Sequence, residues 1–235
     1  MVSRDFQLHY GANESQIRVV YNGVDLRRFT PEGRTRYREA TRDYLGVADH
    51  EVLLLIVAHN FALKGVPTAI RAVNRLRSDG CPVRLAVVGG KSITAARSLA
   101  SSLGGNDGIT FLGSIPDPRP YYAAADIYVQ PTFYDPCSLV ALEALACGLP
   151  VVTSRFNGAG ELISPGVQGE ILFDPADDLT LAECLQPMLD GNRRQMMGRA
   201  ARRLAEEHSL ERNLHEMLSI YHEIPSRRFQ SRAAA

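Results

Sequence analysis

Asp135 and Glu143 bracket a run that carries no other charge: Asp135-Pro136-Cys137-Ser138-Leu139-Val140-Ala141-Leu142-Glu143. From Leu139 to Cys147 every residue except Glu143 is apolar. A carboxylate in such a helix is costly to bury unless something pairs or hydrogen-bonds with it. Carboxylates are good acceptors for vicinal hydroxyls. The helix start between these two offers free backbone N–H groups to an anion. The spacing therefore suits a sugar, a diphosphate and a ribose in sequence. A plainer reading stays open. Asp-Pro opens many turns, and Glu143 can simply be half exposed.

A second cation-bearing junction lies upstream. The apolar run Val52–Ala58 leads into His59-Asn60-Phe61-Ala62-Leu63-Lys64-Gly65, then a helical pattern with Pro67 in its first turn. Proline fits there because its missing N–H would be unpaired anyway. Lys64 and Gly65 thus sit where a strand ends and a helix begins, a place that suits phosphate. A solvated loop lysine is the competing reading. The spacing GxGxxG is absent, so a dinucleotide fingerprint is not supported. No Asp-x-Asp occurs either, which leaves a metal-presented diphosphate without its usual residues.

These junctions need a scaffold, and the chain spells one out. Apolar, β-branched runs occur at Val52–Ala58, Val83–Val88, Ile109–Leu112, Ile127–Gln130, Val151–Thr153 and Glu170–Phe173. Helical patterns lie between them at Val66–Ser78, Ile93–Leu103, Pro120–Ala124, Ser138–Ala146 and Gly160–Ile163. Continuous apolar strands imply burial on both faces. Alternation with helices implies an α/β fold, a doubly wound and mostly parallel six-stranded Rossmann-like sheet with helices on both faces. Such sheets bind ligands at the carboxyl ends of their strands.

The organisation divides into a lead-in over residues 1–47, a ligand-binding domain over 48–208, and a C-terminal crossing helix with a frayed tail over 209–235. The lead-in pattern gives a helix at Ser3–Tyr10, a strand at Ile17–Tyr21 and a helix at Arg34–Leu45. Helical patterns close the chain at Leu179–Leu189, Arg193–His208 and Leu210–His222. Lys plus Arg equal Asp plus Glu at 26 each, so the balance is neutral and argues against a nucleic-acid partner. Four cysteines without CxxC spacing read as reduced thiols in a cytoplasmic protein. Apart from His59, the histidines have no metal-like partner spacing. Asp126, after Ala123-Ala124-Ala125, reads as a structural cap. The cluster Arg193, Arg194, Arg199, Arg202 and Arg203 reads as a solvated helix face, with contact to anionic lipid the alternative.

A set of motifs in fixed order carries a resemblance. Asn22-Gly23-Val24-Asp25, Lys64-Gly65-Val66, Val87-Val88-Gly89-Gly90, Ile109-Thr110-Phe111-Leu112-Gly113, Tyr122 through Asp126, and Ser138 through Gly148-Leu149-Pro150-Val151-Val152 follow one another. In that order they resemble the donor-binding half of retaining GT-B glycosyltransferases of family 4, which include bacterial lipopolysaccharide-core and exopolysaccharide hexosyltransferases. The resemblance covers roughly residues 3–222.

The resemblance implies a nucleotide-diphospho-sugar donor, UDP- or GDP-hexose, with no metal and no cofactor, and transfer to a glycan or lipid-linked acceptor. It implies that Asp135 holds donor-sugar hydroxyls and Glu143 the ribose hydroxyls. Lys64, beside Gly65, matches the lysine that neutralises the leaving diphosphate. Pro136, Cys137, Ser138, Leu139 and Val140 match the loop whose amides meet sugar and phosphate, and Gly113 a region near the base. Two residues depart from the pattern. Asp135 stands where glutamate is usual, and His59 stands where an arginine often binds phosphate. The family's N-terminal acceptor-binding domain has no counterpart here. The resemblance implies it as a partner domain or subunit, through which peripheral contact with the inner face of the membrane would run. Without that domain, a module that binds nucleotide-sugar without transferring it is the alternative.

Overall fold

The computed structural model describes residues 1–90, 93–104 and 107–232. Six strands form one sheet: β1 (Val52–Ala58), β2 (Val83–Gly89), β3 (Ile109–Gly113), β4 (Ile127–Gln130), β5 (Val151–Ser154) and β6 (Gly169–Leu172). Their order is β3-β2-β1-β4-β5-β6, and every pairing is parallel. The winding reverses between β1 and β4. In an open parallel sheet the carboxyl ends of the strands at such a reversal are where ligands bind.

The alternation of β1 explains how both faces are covered. Leu54 and Ile56 join a core with α3 (Val66–Ser78), α4 (Thr94–Ser102) and α7 (Asp178–Leu185). Leu53 and Leu55 join a second core with α5 (Arg119–Ala124) and α6 (Leu139–Ala146). Val24, Phe29 and Leu45 enter that second core, Leu45 from the end of α2 (Gly33–Leu45), so the lead-in packs onto the sheet. From α8 (Gly191–Glu206), Met197 enters the first core and Ala201 and Ala205 the second. Successive strand residues point to opposite faces, so a two-sided core requires an unbroken apolar strand.

Most sequence boundaries agree within a residue or two; three differ. Ile17–Tyr21 forms no strand among the described residues. Among the described residues its β-branched run pairs with no sheet edge, and just beyond it Val24 bridges to Ser209. The pattern Leu179–Leu189 splits into α7 and a 3-10 turn at Gln186–Leu189, because Pro187 cannot donate to the helix ladder. The last helix, α9 (Leu210–Arg232), runs past the expected bound at His222. The lead-in opens with α1 (Val2–Tyr10). Among the described residues no helix is long and apolar enough to cross a membrane.

Candidate functional site

The loops after β1 and β4 flank the reversal of the sheet and are locked together by their backbones. Phe133 N–H donates to the Leu63 carbonyl at 2.8 Å, and Thr132 Oγ1 donates to the same oxygen at 3.0 Å. Gly65 caps α3 with φ of 73°, and a Cβ there would lie 2.0 Å from the Pro131 carbonyl oxygen. Only glycine permits that conformation and that approach together. Asn60 tightens the turn, accepting from the Leu63 amide on its side chain and from the Lys64 amide on its carbonyl.

This packing brings Lys64 onto Asp135. Lys64 Nζ lies 2.7 Å from Asp135 Oδ2 and donates to the Tyr134 carbonyl at 3.2 Å. Both side chains are largely buried, at 19% and 14% exposure. The sequence singled out both residues without foreseeing that they pair. The two motifs lie on separate loops, and only the neighbouring of β1 and β4 joins them.

The Asp135–Ser138 loop is braced from its other side by the loop after β5. Asp135 N–H donates to Phe156 O at 2.9 Å, and Gly158 N–H donates to Asp135 O at 2.8 Å. Ser138 caps α6, accepting from the Ala141 amide at 3.4 Å, and its hydroxyl donates to Gln130 Oε1 at 2.9 Å. Asn157, wholly buried, accepts from the Ser138 amide and donates to Thr153 Oγ1. From the lead-in, Asn22 Nδ2 donates to the Cys137 carbonyl at 2.7 Å. Burial pushes the Cys137 thiol up, so the protonated form is favoured there.

Glu143 is partly buried and has one partner that composition could not reveal. Tyr122 Oη donates to Glu143 Oε2 at 2.8 Å, with Val140 O at 3.2 Å. Tyr122 is wholly buried and edge-on to Phe29, with ring centroids 5.8 Å apart. Burial pushes the Glu143 carboxyl above its ordinary range, with the Tyr122 bond and the Arg28 charge pulling against that rise. Burial also holds the Tyr122 hydroxyl far above its usual value, so it remains a donor.

The remaining site residues are placed less closely. His59 is exposed and, among the described residues, makes no hydrogen bond or ion pair. Gly113 ends β3, with β2 between it and β1 and open space around its Cα. Pro136 and Leu139 are exposed on the loop and Val140 half-buried. A cleft of about 870 Å³ runs beside this loop, lined by Phe6, Ile17, Tyr21, Asn22, Asp135 and Cys137 among others. Lys64 and Glu143 are not in its wall. Glu161 is, and accepts from Tyr21 Oη at 2.8 Å; burial and Glu161 push that hydroxyl up to about 12. Sequence reasoning missed Tyr21 and Gln130, and the partners of Tyr122 and Asn157. Tyr21 and Tyr122 reach Glu161 and Glu143 across 140 and 21 positions, and Gln130 and Asn157 meet only where the end of β4 and the loop after β5 pack together.

Asp126 lies at the opposite end of the sheet, just before β4. It accepts from Arg38 at 2.7 Å, from Arg42 at 3.0 Å and from the Leu53 amide at 2.8 Å. It ties α2 to the starts of β1 and β4, which suits its reading as a structural residue. Among the described residues no group of three or more His, Cys, Asp or Glu side chains is gathered as a metal would need.

The parallel sheet order and the helices on both faces define a Rossmann-like α/β unit of the GT-B kind. Residues 51–190 match the family described as Glycosyl transferases group 1, and the chain belongs to that family. It is 36% identical over 225 residues to the D-inositol 3-phosphate glycosyltransferase of Geodermatophilus obscurus, covering 91% of this chain and 48% of that protein. The crystal structure of WaaG, a glycosyltransferase involved in lipopolysaccharide biosynthesis, superposes with a TM-score of 0.78 at 27% identity, over 93% of this chain and 60% of that one. Anabaena Alr3699/HepE in complex with UDP-glucose superposes with a TM-score of 0.79 at 22% identity, over 92% and 60%. The chain spans about half the length of the curated relatives it matches.

Proposed function

We propose that this chain is the donor-binding half of a retaining, metal-independent hexosyltransferase that uses a nucleotide-diphospho-sugar. The observation that carries the reading is the Lys64–Asp135 pair at 2.7 Å, held at the reversal of the sheet in a member of the group 1 family. Transfer builds negative charge on the departing diphosphate and positive charge on the sugar ring. Lys64 and the N-termini of α3 and α6 counter the first. Asp135 holds sugar hydroxyls, with its carboxylate already aimed by Lys64 and by the backbone bonds to Phe156 and Gly158. Glu143 takes the ribose through the oxygen that Tyr122 leaves free. Pro136 to Val140 present amides to sugar and phosphate, Gly113 stands near the base, and His59 donates to phosphate when protonated.

The HepE complex holds UDP-glucose, which favours a uridine donor. The acceptor is assigned to the half that would face this one. The sequence relatives are named for D-inositol 3-phosphate and a structural neighbour for lipopolysaccharide, so either acceptor class fits a shared donor half. Calorimetric titration of UDP, GDP and ADP, each free and hexose-linked, tests the donor assignment. One nucleotide should bind, and Lys64→Ala should weaken it. Binding of none of them would overturn the reading. Transfer assays with and without the facing half separate a transferase from a module that only binds donor.

A further inference from the structure

The chain is neutral as a whole, yet six arginines gather at the end of the sheet opposite the loops described above. A groove of about 840 Å³ lies there, at the amino ends of β4 and β5, between α2, the end of α6 and α8. Its wall holds Arg34, Arg38, Arg194, Arg199, Arg202 and Arg203 against two acids, Asp126 and Glu206. Gly198 lets α8 reach the wall, since a Cβ there would lie 2.4 Å from the Gly148 carbonyl oxygen.

The structure sorts these cations by their duties. Arg194 donates to the Met188 and Leu189 carbonyls, and Arg202 to those of Phe29 and Ala146. Arg38 is engaged by Asp126. Both acids are already taken, Asp126 by the α2 arginines and Glu206 by Arg202 at 2.8 Å. Arg199 and Arg203, one turn apart on α8, have no hydrogen bond or ion pair among the described residues. Arg34 lines the groove from α2, with one nitrogen donating to the Ala125 carbonyl at 3.2 Å and the other 3.5 Å from Asp126. Arg199 and Arg203 are exposed on α8, as a solvated face expects, but that face does not stand alone. Two helices supply cations to one groove, and the groove contains no uncommitted acid.

We propose that this groove is a second anion site, separate from the donor site, for a ligand bearing two or more phosphate groups. Arg199 and Arg203 are its recognition residues, with Arg34 contributing from α2. Guanidinium forks match phosphate oxygens bidentately. The volume lies within the roughly 300–1,000 Å³ usual for small-ligand sites. The phosphates can come from a soluble polyphosphorylated molecule or from a lipid headgroup, and both present the same oxygens.

The test titrates sodium tripolyphosphate by calorimetry at roughly 0.15 M salt, where exposed charges are already screened over about 8 Å. Wild type, Lys64→Ala and the double variant Arg199→Ala/Arg203→Ala are compared. The double variant should lose at least about tenfold in affinity, while Lys64→Ala keeps a full-strength site. Thermal melting checks that the double variant folds. Co-sedimentation with phosphatidylcholine vesicles, with and without a phosphatidylinositol bisphosphate, distinguishes the sources. Arginine-dependent capture by the acidic vesicles assigns a lipid, and arginine-dependent tripolyphosphate binding alone assigns a soluble ligand. Tripolyphosphate binding that Lys64→Ala abolishes and the arginine pair does not would overturn the proposal. So would the absence of arginine-dependent binding to either probe.

Discussion

Lys64→Ala separates a catalytic duty from a structural one, because the structure bounds the structural part. The substitution removes an ion pair at 2.7 Å whose partners are 19% and 14% exposed. Exposed pairs contribute about 0–1 kcal/mol. Breaking a fully buried one costs about 3–5 kcal/mol by stranding the survivor. Asp135 keeps some access to water, so a cost of about 1–2 kcal/mol is expected between these limits. For a chain of this size that lowers Tm by roughly 2–8 °C. The catalytic loss should be larger. Removing one preorganised donor to developing charge typically costs on the order of a hundred- to a thousandfold in turnover. The assay is the initial rate of nucleoside diphosphate release by the complete transferase, with melting followed on the same samples. A loss of less than about tenfold, or about 1.4 kcal/mol, would refute the assignment. A Tm drop far beyond the stated range would show instead that the pair mainly holds the two loops together.

Three further outcomes follow from the geometry. Glu143→Gln should weaken nucleotide binding while raising stability at neutral pH. A carboxyl raised by burial binds its proton more tightly when folded, so wild-type stability should fall as pH rises through and just above the ordinary glutamate range; melts of both proteins across that range check it, and a wild-type curve no steeper than the variant's refutes it. Asp126 behaves oppositely. Burial raises its carboxyl, but Arg38, the Leu53 amide and Arg42 outweigh this and hold it low, so its contribution is present above the ordinary aspartate range and lost as acid reaches its depressed value; Asp126→Asn should cost about 3 kcal/mol by urea titration at neutral pH, and a change under about 1 kcal/mol would count against the network. Gly65→Ala should lower stability by about 2 kcal/mol or more, since it combines a left-handed backbone with a contact of 2.0 Å to Pro131 O, and unaltered melting would mean the loops can part freely.

The sheet was legible because its strands are apolar on both faces, a pattern that leaves few other folds. Val66–Ser78 was legible to the residue, since Gly65, Pro67 and an apolar stripe mark its start and course. Ile17–Tyr21 misled for the converse reason. β-propensity reports a fit to a pleated surface, and among the described residues this run meets no strand edge. In the site, single residues were readable while their partners were not. Lys64, Asp135 and Glu143 stand out as charges among apolar or turn residues. Tyr122 and Asn157 are ordinary members of their segments, and only the packed sheet reveals Tyr122 beneath Glu143 and Asn157 beneath Ser138. The α8 arginines show the same limit. Their spacing gave a helix face, but the commitment of Arg202 to the Phe29 and Ala146 carbonyls depends on neighbours distant in sequence.

The contact between Asn22 and the Cys137 carbonyl has a mechanical consequence. Its neighbour Tyr21 is held through its own carbonyl by Asn213 of α9 at 2.7 Å, and Val24 exchanges backbone bonds with His208 and Leu210. The segment 21–24 thus bridges two attachments, with Tyr21 and Val24 on the start of α9 and Asn22 between them on the Asp135–Ser138 loop. A bridge held at both makes the two attachments thermodynamically reciprocal. A ligand that stills the loop must also still the first turn of α9, and slower amide exchange there would report occupancy from outside the site. Exchange in that turn unchanged by a bound ligand would show the bridge to be slack.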